Sequence, residues 1–155
     1  MAEGVFRHQT NHTRPTAHPL IRDIDSCGTG AYHVGDNPDP RTLSVLSAHG
    51  INKSFYSHRA RKFQSKDFEE FDYIFAMDEA NLGYLKDARK RAIAKSGMSE
   101  QEAGQVMLFG AWGDKSGKGN EEVGDPYYGG QKGFEIAYEQ VDRFSKNFVD
   151  FLEKR

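Results

Sequence analysis

Two short, almost unbroken apolar runs limit what this chain can fold into more than any other feature. Tyr73-Ile74-Phe75-Ala76-Met77 and Val106-Met107-Leu108-Phe109 contain neither a charge nor a turn former. A strand with one wet face alternates apolar and polar residues; a run without alternation suits a parallel strand buried on both faces. Parallel strands need crossover connections, most often helices. Asp78 follows the first run directly and is placed to open a helix reaching about residue 94. A third run, Leu20-Ile21-Arg22-Asp23-Ile24-Asp25-Ser26, alternates around β-branched residues and predicts another strand.

Helical patterns surround these runs. Residues 1–14 read as a helix ended by Pro15, with no side-chain N-cap at its start. Asn37-Pro38-Asp39-Pro40 predicts a turn and a helix start, and that helix stops at Gly50. Residues 55–63 are a short strand or a basic connector, and residues 67–71 one helical turn. Residues 95–105 are polar and partly helical, and residues 113–124 form a glycine-rich loop. The last helix spans about residues 132–153, with Phe134, Tyr138, Val141, Phe148 and Leu152 on one core-facing stripe. Strands alternating with helices give the α/β class: a doubly wound parallel sheet flanked by helices, in a single domain of 155 residues. Such sheets bind ligands at the carboxyl ends of their strands. In this chain those ends are Ser26-Cys27-Gly28, Met77-Asp78 and Gly110-Ala111-Trp112.

Composition excludes several function classes. The net charge of −2 gives no positive excess for a nucleic-acid or membrane surface. No apolar run is long enough to span a bilayer, and no secretory leader is evident. The single cysteine, Cys27, suits a reducing, cytoplasmic setting. The expectation is therefore a cytoplasmic protein that contacts neither nucleic acid nor membrane.

Few residues carry a chemical signal. Asp125-Pro126-Tyr127-Tyr128-Gly129-Gly130 is the densest. Proline holds the preceding aspartate extended. A carboxylic acid near aromatic rings can serve as a proton donor; a plain turn fits the same residues. Ser26 and the Cys27-Gly28-Thr29-Gly30 loop suit phosphate approach, or are an ordinary exit from a strand. A thiolate nucleophile needs a cation or a helix N-terminus to lower its pKa, and Cys27 has no arginine at short spacing. Ser57-His58-Arg59-Ala60-Arg61-Lys62 could meet phosphate or form a solvated face, and His58 could instead hold a loop. His8 and His12 stand four apart without a further ligand, so no metal site and no cofactor are expected.

Taken in order, these motifs resemble those of the low-molecular-weight protein tyrosine phosphatases. Met1-Ala2-Glu3-Gly4-Val5-Phe6-Arg7 resembles the helix that follows that family's phosphate-binding loop. Asp25-Ser26, Tyr32-His33-Val34-Gly35 and Pro38-Asp39-Pro40-Arg41 resemble its second strand and next helix. Ser57-His58-Arg59-Ala60-Arg61, Phe71 to Glu79, and Asp125-Pro126-Tyr127-Tyr128-Gly129 follow in the family's order. The resemblance implies hydrolysis of phosphotyrosine through a cysteinyl-phosphate intermediate. It implies Asp125 as general acid and then base. Tyr32, Tyr127 and Tyr128 become walls for the substrate ring, and Ser26 and His58 become braces of the phosphate loop. The implied partners are phosphotyrosine proteins or small aryl phosphates, with a weak homo-oligomer allowed.

One departure stands out. The family's nucleophile lies in a Cys-(five residues)-Arg loop, and the sixth residue after Cys27 is His33. The chain therefore reads as a family member truncated at its N-terminus. The first inner strand and the nucleophile are missing, and about three strands remain. Losing an inner strand with about four buried apolar side chains removes roughly 6–12 kcal/mol, close to the whole stability of a domain. The expectations are an inactive, marginally stable chain, or a non-catalytic, phosphatase-like binding protein. An arsenate reductase on the same fold would need more than one cysteine.

Overall fold

The computed structural model describes residues 1–52, 56–126 and 129–155. Its centre is a two-stranded parallel sheet of β1 (Tyr73–Ala76) and β2 (Gln105–Leu108), the two runs expected to be strands. The register pairs Tyr73 with Gln105 and Ala76 with Leu108. Helices lie on both faces, as the doubly wound reading requires. Along β1, Tyr73 and Phe75 pack with Val5, Phe109, Phe144 and Phe148. Ile74 and Ala76 pack with Phe63, Phe68, Leu82 and Leu85. The period of two along a strand thus sorts one apolar run into two cores.

Local chemistry sets the helix ends. α1 (Ala2–Gln9) begins without a side-chain cap, as expected. It ends five residues before the expected boundary at residue 14. Asn11 and Thr13 take positive φ values of 49° and 63°, so the chain leaves the helix well before Pro15. α2 (Pro40–Ala48) starts where Asp39 accepts the Arg41 amide at 2.8 Å, with proline in the first turn. Gly50, at φ +81°, follows its end. The single turn is α3 (Asp67–Glu70). α4 (Glu79–Ser96) is capped by Asp78, which accepts the Asn81 amide at 2.7 Å, and closes on Gly97 in the left-handed region. A short 3-10 turn, Ala111–Gly113, follows β2. Gly110 leads into it; a Cβ there would run into the Glu121 backbone, so only glycine fits. α5 (Gly130–Lys154) is the longest element and buries Phe134, Val141, Phe144, Phe148 and Leu152.

Two expectations need correction. Residues 20–26 are not a strand, so among the described residues the sheet has two strands and not three. An extended segment becomes a strand only when a neighbour meets its backbone groups. This one is tied down otherwise: the Arg7 guanidinium donates to the Ile24 carbonyl at 2.6 Å, and Arg22 donates to the Glu70 carbonyl. Only beyond it does Gly28 form an isolated parallel bridge with Lys62. Of residues 95–105, expected to be partly helical, only Lys95 and Ser96 are helical, as the end of α4; residues 97–104 are irregular around a turn at 100–102, with Arg89 of α4 binding the carbonyls of Glu100, Ala103 and Gly104. No helix among the described residues is long and apolar enough to cross a membrane.

Candidate active site

Ser26 and His58 are brought together, and the residue that joins them is Glu3. It sits in the first turn of α1, with its side chain 2% exposed. The Ser26 hydroxyl donates to Glu3 Oε1 at 3.0 Å, and the Arg7 guanidinium donates to Oε2 at 3.2 Å. His58 Nδ1 lies 3.2 Å from Glu3 Oε1 and 3.3 Å from Asp25 Oδ1. A ring nitrogen facing two carboxylate oxygens is the one that carries the hydrogen. His58 Nε2 is buried and has no hydrogen-bond partner among the described residues.

The network continues outward. Asp25 accepts the Ser26 amide at 2.8 Å and the Arg61 Nε at 2.9 Å. Arg61 also grips both oxygens of Asp67, at 3.0 and 3.2 Å, in the planar fork that guanidinium and carboxylate share. Asp67 is buried in the first turn of α3 and accepts the Gln64 amide as well. The basic segment is thus divided. Arg61 turns inward to two carboxylates, while Arg59 and Lys62 are exposed. The sequence singled out Ser26 and His58 but not Glu3, Asp25 or Asp67. A carboxylate in a helix's first turn reads as dipole compensation, and nothing in its spacing says that it is buried.

Ser26, Cys27 and His58 line a cleft of about 230 Å³, with Asp36, Asn37 and Pro38 on its other side. The cleft opens at the end of the 21–27 segment, beside the isolated bridge between Gly28 and Lys62. Cys27 faces it as an exposed residue, yet desolvation pushes its thiol up to about 11. Arg61 opposes that rise, and Asp67 and Asp25 add to it. Glu3, Asp25 and His58 also hold three donor atoms within 4.8 Å of one another. Each of those carboxylates already faces a guanidinium.

Tyr32 and Asp125 are not among the residues that line this cleft. Tyr32 is 93% exposed. Asp125 is exposed just before Pro126. Tyr127 and Tyr128 lie outside the described residues.

A parallel sheet with helices on both faces, beside a polar cleft lined by Ser26 and His58, defines the class as a doubly wound α/β domain. Comparison with known proteins defines it further. The family model for low molecular weight phosphotyrosine protein phosphatase matches residues 1–155. The chain is 44% identical over 149 residues to the low molecular weight phosphotyrosine protein phosphatase of Schizosaccharomyces pombe, covering 96% of this chain and 85% of that one. It is 35% identical to the Saccharomyces cerevisiae protein of the same description, covering 96% and 84%. Among solved structures, a protein tyrosine phosphatase from Entamoeba histolytica superposes with a TM-score of 0.77 at 30% identity, covering 99% of this chain and 87% of that one. The chain belongs to the low molecular weight phosphotyrosine protein phosphatase family. The match begins at residue 1 and lends no support to the expected truncation.

Proposed function

We propose that this chain is built for the phosphoric monoester chemistry of its family, and that these 155 residues alone do not complete it. The substrates are phosphotyrosine proteins or small aryl phosphates. The reaction passes through a cysteinyl-phosphate that water then hydrolyses. The observation that carries the reading is the Ser26–Glu3–His58 constellation beside the cleft, since hydroxyl and imidazole converge there on one buried carboxylate. The curated relatives named above support the same reaction.

In this reading Asp125 protonates the leaving phenolate and its conjugate base activates water. Tyr32, Tyr127 and Tyr128 flank the substrate ring. Ser26 and His58 hold the phosphate-binding loop in place. No residue of the chain is the nucleophile. Cys27 is the sole thiol, desolvation pushes its pKa up to about 11, and His33 stands where the loop arginine would be. A thiol of that kind is almost wholly protonated at neutral pH and attacks phosphorus poorly. The chain acts as one domain, without metal or cofactor, in the cytoplasm. It has no nucleic-acid or membrane partner and forms at most a weak homo-oligomer.

The test joins a strand and a Cys-(five)-Arg loop ahead of Met1. The extended protein is expected to hydrolyse p-nitrophenyl phosphate, with Asp125→Asn slowing turnover far more than it raises KM. Turnover unchanged by Asp125→Asn would remove Asp125 from its role. A folded extended protein without turnover would favour the non-catalytic binding protein.

A further inference from the structure

α4 carries its charge unevenly. From Lys86 to Lys95 stand five cations, Lys86, Arg89, Lys90, Arg91 and Lys95, and one acid, Asp87, so this stretch is net +4 in a chain of net −2. One of the five belongs to the fold: Arg89 is half-buried and binds Glu100 and the carbonyls of Ala103 and Gly104. The other four are exposed, and none makes an ion pair or hydrogen bond with a described residue. Asp87 is exposed too and, one turn before Arg91, pairs with none of them.

These four cations do not serve the helix. Lys86 and Lys90, and again Arg91 and Lys95, stand four residues apart, the spacing at which like charges meet and weaken a helix. Glutamine or glutamate would hold the helical backbone as well. Lys95 lies in the last turn, where a cation complements the helix dipole. Lys86, Lys90 and Arg91 lie more than a turn from that end, beyond the dipole's reach.

The stripe is short and narrow. Lys86 and Lys95 are separated by roughly 13 Å of helix at about 1.5 Å per residue. An extended chain covers that length in about four residues, with alternate side chains on one side. No leucine, isoleucine or valine of α4 is exposed to enter a lipid layer, and Tyr84 is its one exposed large apolar side chain. A duplex or a charged bilayer presents a wide anionic surface, which would also meet the negative balance of the rest of the chain. A single acidic strand meets the stripe alone.

We propose that the exposed face of α4 from Lys86 to Lys95 is a docking surface for an extended acidic segment of another polypeptide, alternate side chains of which meet the four cations. None of these residues lines the cleft. The inference does not depend on the phosphatase reading, and its test reads no activity.

The probe is a rhodamine-labelled peptide of about six Glu-Ser repeats, a length that exceeds the stripe. Its binding to the 155-residue chain is followed by fluorescence anisotropy and mapped by amide chemical shifts. Binding is expected to saturate and to move the amides of residues 84–96. It is expected to weaken about tenfold or more between low salt and about 0.15 M ionic strength, where charges are screened over about 8 Å. Lys86→Gln, Lys90→Gln, Arg91→Gln and Lys95→Gln together are expected to weaken binding about tenfold or more, and Lys86→Gln with Lys90→Gln alone about threefold. The fourfold variant should melt no lower than the parent, since two like-charge pairs are gone. Lys118→Gln with Lys132→Gln, at two exposed lysines elsewhere, is expected to leave binding unchanged. Four results would overturn the proposal: no saturable binding at low salt, shifts centred outside α4, equal loss in the α4 and control variants, or tighter binding of a DNA duplex or of phosphatidylserine vesicles than of the peptide.

Discussion

The side of the molecule that holds β1, β2 and α5 and the side formed by residues 21–39 and 56–63 are held together by different forces. On the first side aromatic rings interlock. Phe148 lies within 4.9 to 6.0 Å of the rings of Phe6, Tyr73, Phe75 and Trp112, and Phe109 packs on Phe75 and Phe144. On the second side the chain forms loops and turns, and Glu3, Asp25, Asp67, Arg7, Arg61 and His58 bind it through charge and hydrogen bonds. Packing is insensitive to pH and tolerates no lost volume. A polar network is sensitive to both protonation and the loss of one partner. The candidate site stands on the second side, where small charge changes move side chains that chemistry would use.

The largest expected effect breaks the packed side. Phe148→Ala should cost about 3–5 kcal/mol, the usual range for a deleted buried aromatic ring, read as a lower urea midpoint. A cost under about 1 kcal/mol would mean that the aromatic layer is not what holds this side. Next comes Asp67→Ala on the polar side, which leaves Arg61 half-paired and the Gln64 amide without its acceptor. It should cost about 2 kcal/mol and loosen the 56–63 segment in hydrogen exchange, while the amides of Ile74 and Ala76 stay protected. Equal loosening of both sides would erase the distinction between them.

The two helix caps compare the sides under one chemistry. Asp39→Ala and Asp78→Ala should each cost about 1 kcal/mol. The cost at Asp39 should also depend on pH, because hydrogen bonds to Arg41 hold the Asp39 carboxyl below the usual range. An acid lowered on folding contributes stability above its unfolded pKa and loses it as pH falls through the folded value. The cost of Asp39→Ala should therefore shrink only in strong acid. The smallest effect comes from His12. It is buried, and desolvation followed by Arg7 lowers its pKa, although Asp23 and Glu3 pull the other way. A base lowered on folding stabilises fully above its unfolded pKa, and that stability falls with pH below it. Stability should slope gently downward below about pH 6.5, and His12→Asn should flatten that slope. An unchanged slope would exclude His12 as its source.

The packed side was legible in the sequence because its signals are local. Unbroken apolar runs gave β1 and β2 within a residue or two, Asp78 and Asp39 marked helix starts, and the stripe from Phe134 to Leu152 marked the buried face of α5. Residues 20–26 misled because β-branched alternation reports strand propensity, while a strand also needs a neighbour. The site was legible only in part. Ser26 and His58 could be named through resemblance, but the buried carboxylate joining them is 23 residues from one of them along the chain, and no spacing rule reaches that far.

We propose above that the nucleophile of the family's reaction is not among these residues. It is tested most directly by incubating the purified 155-residue chain with p-nitrophenyl phosphate, measuring released phenolate, and searching acid-quenched protein by mass spectrometry for a phosphoryl adduct. Phenolate release no faster than the blank, and no adduct at Cys27, are expected. Release above the blank that Cys27→Ser abolishes, with phosphate trapped on Cys27, would contradict it.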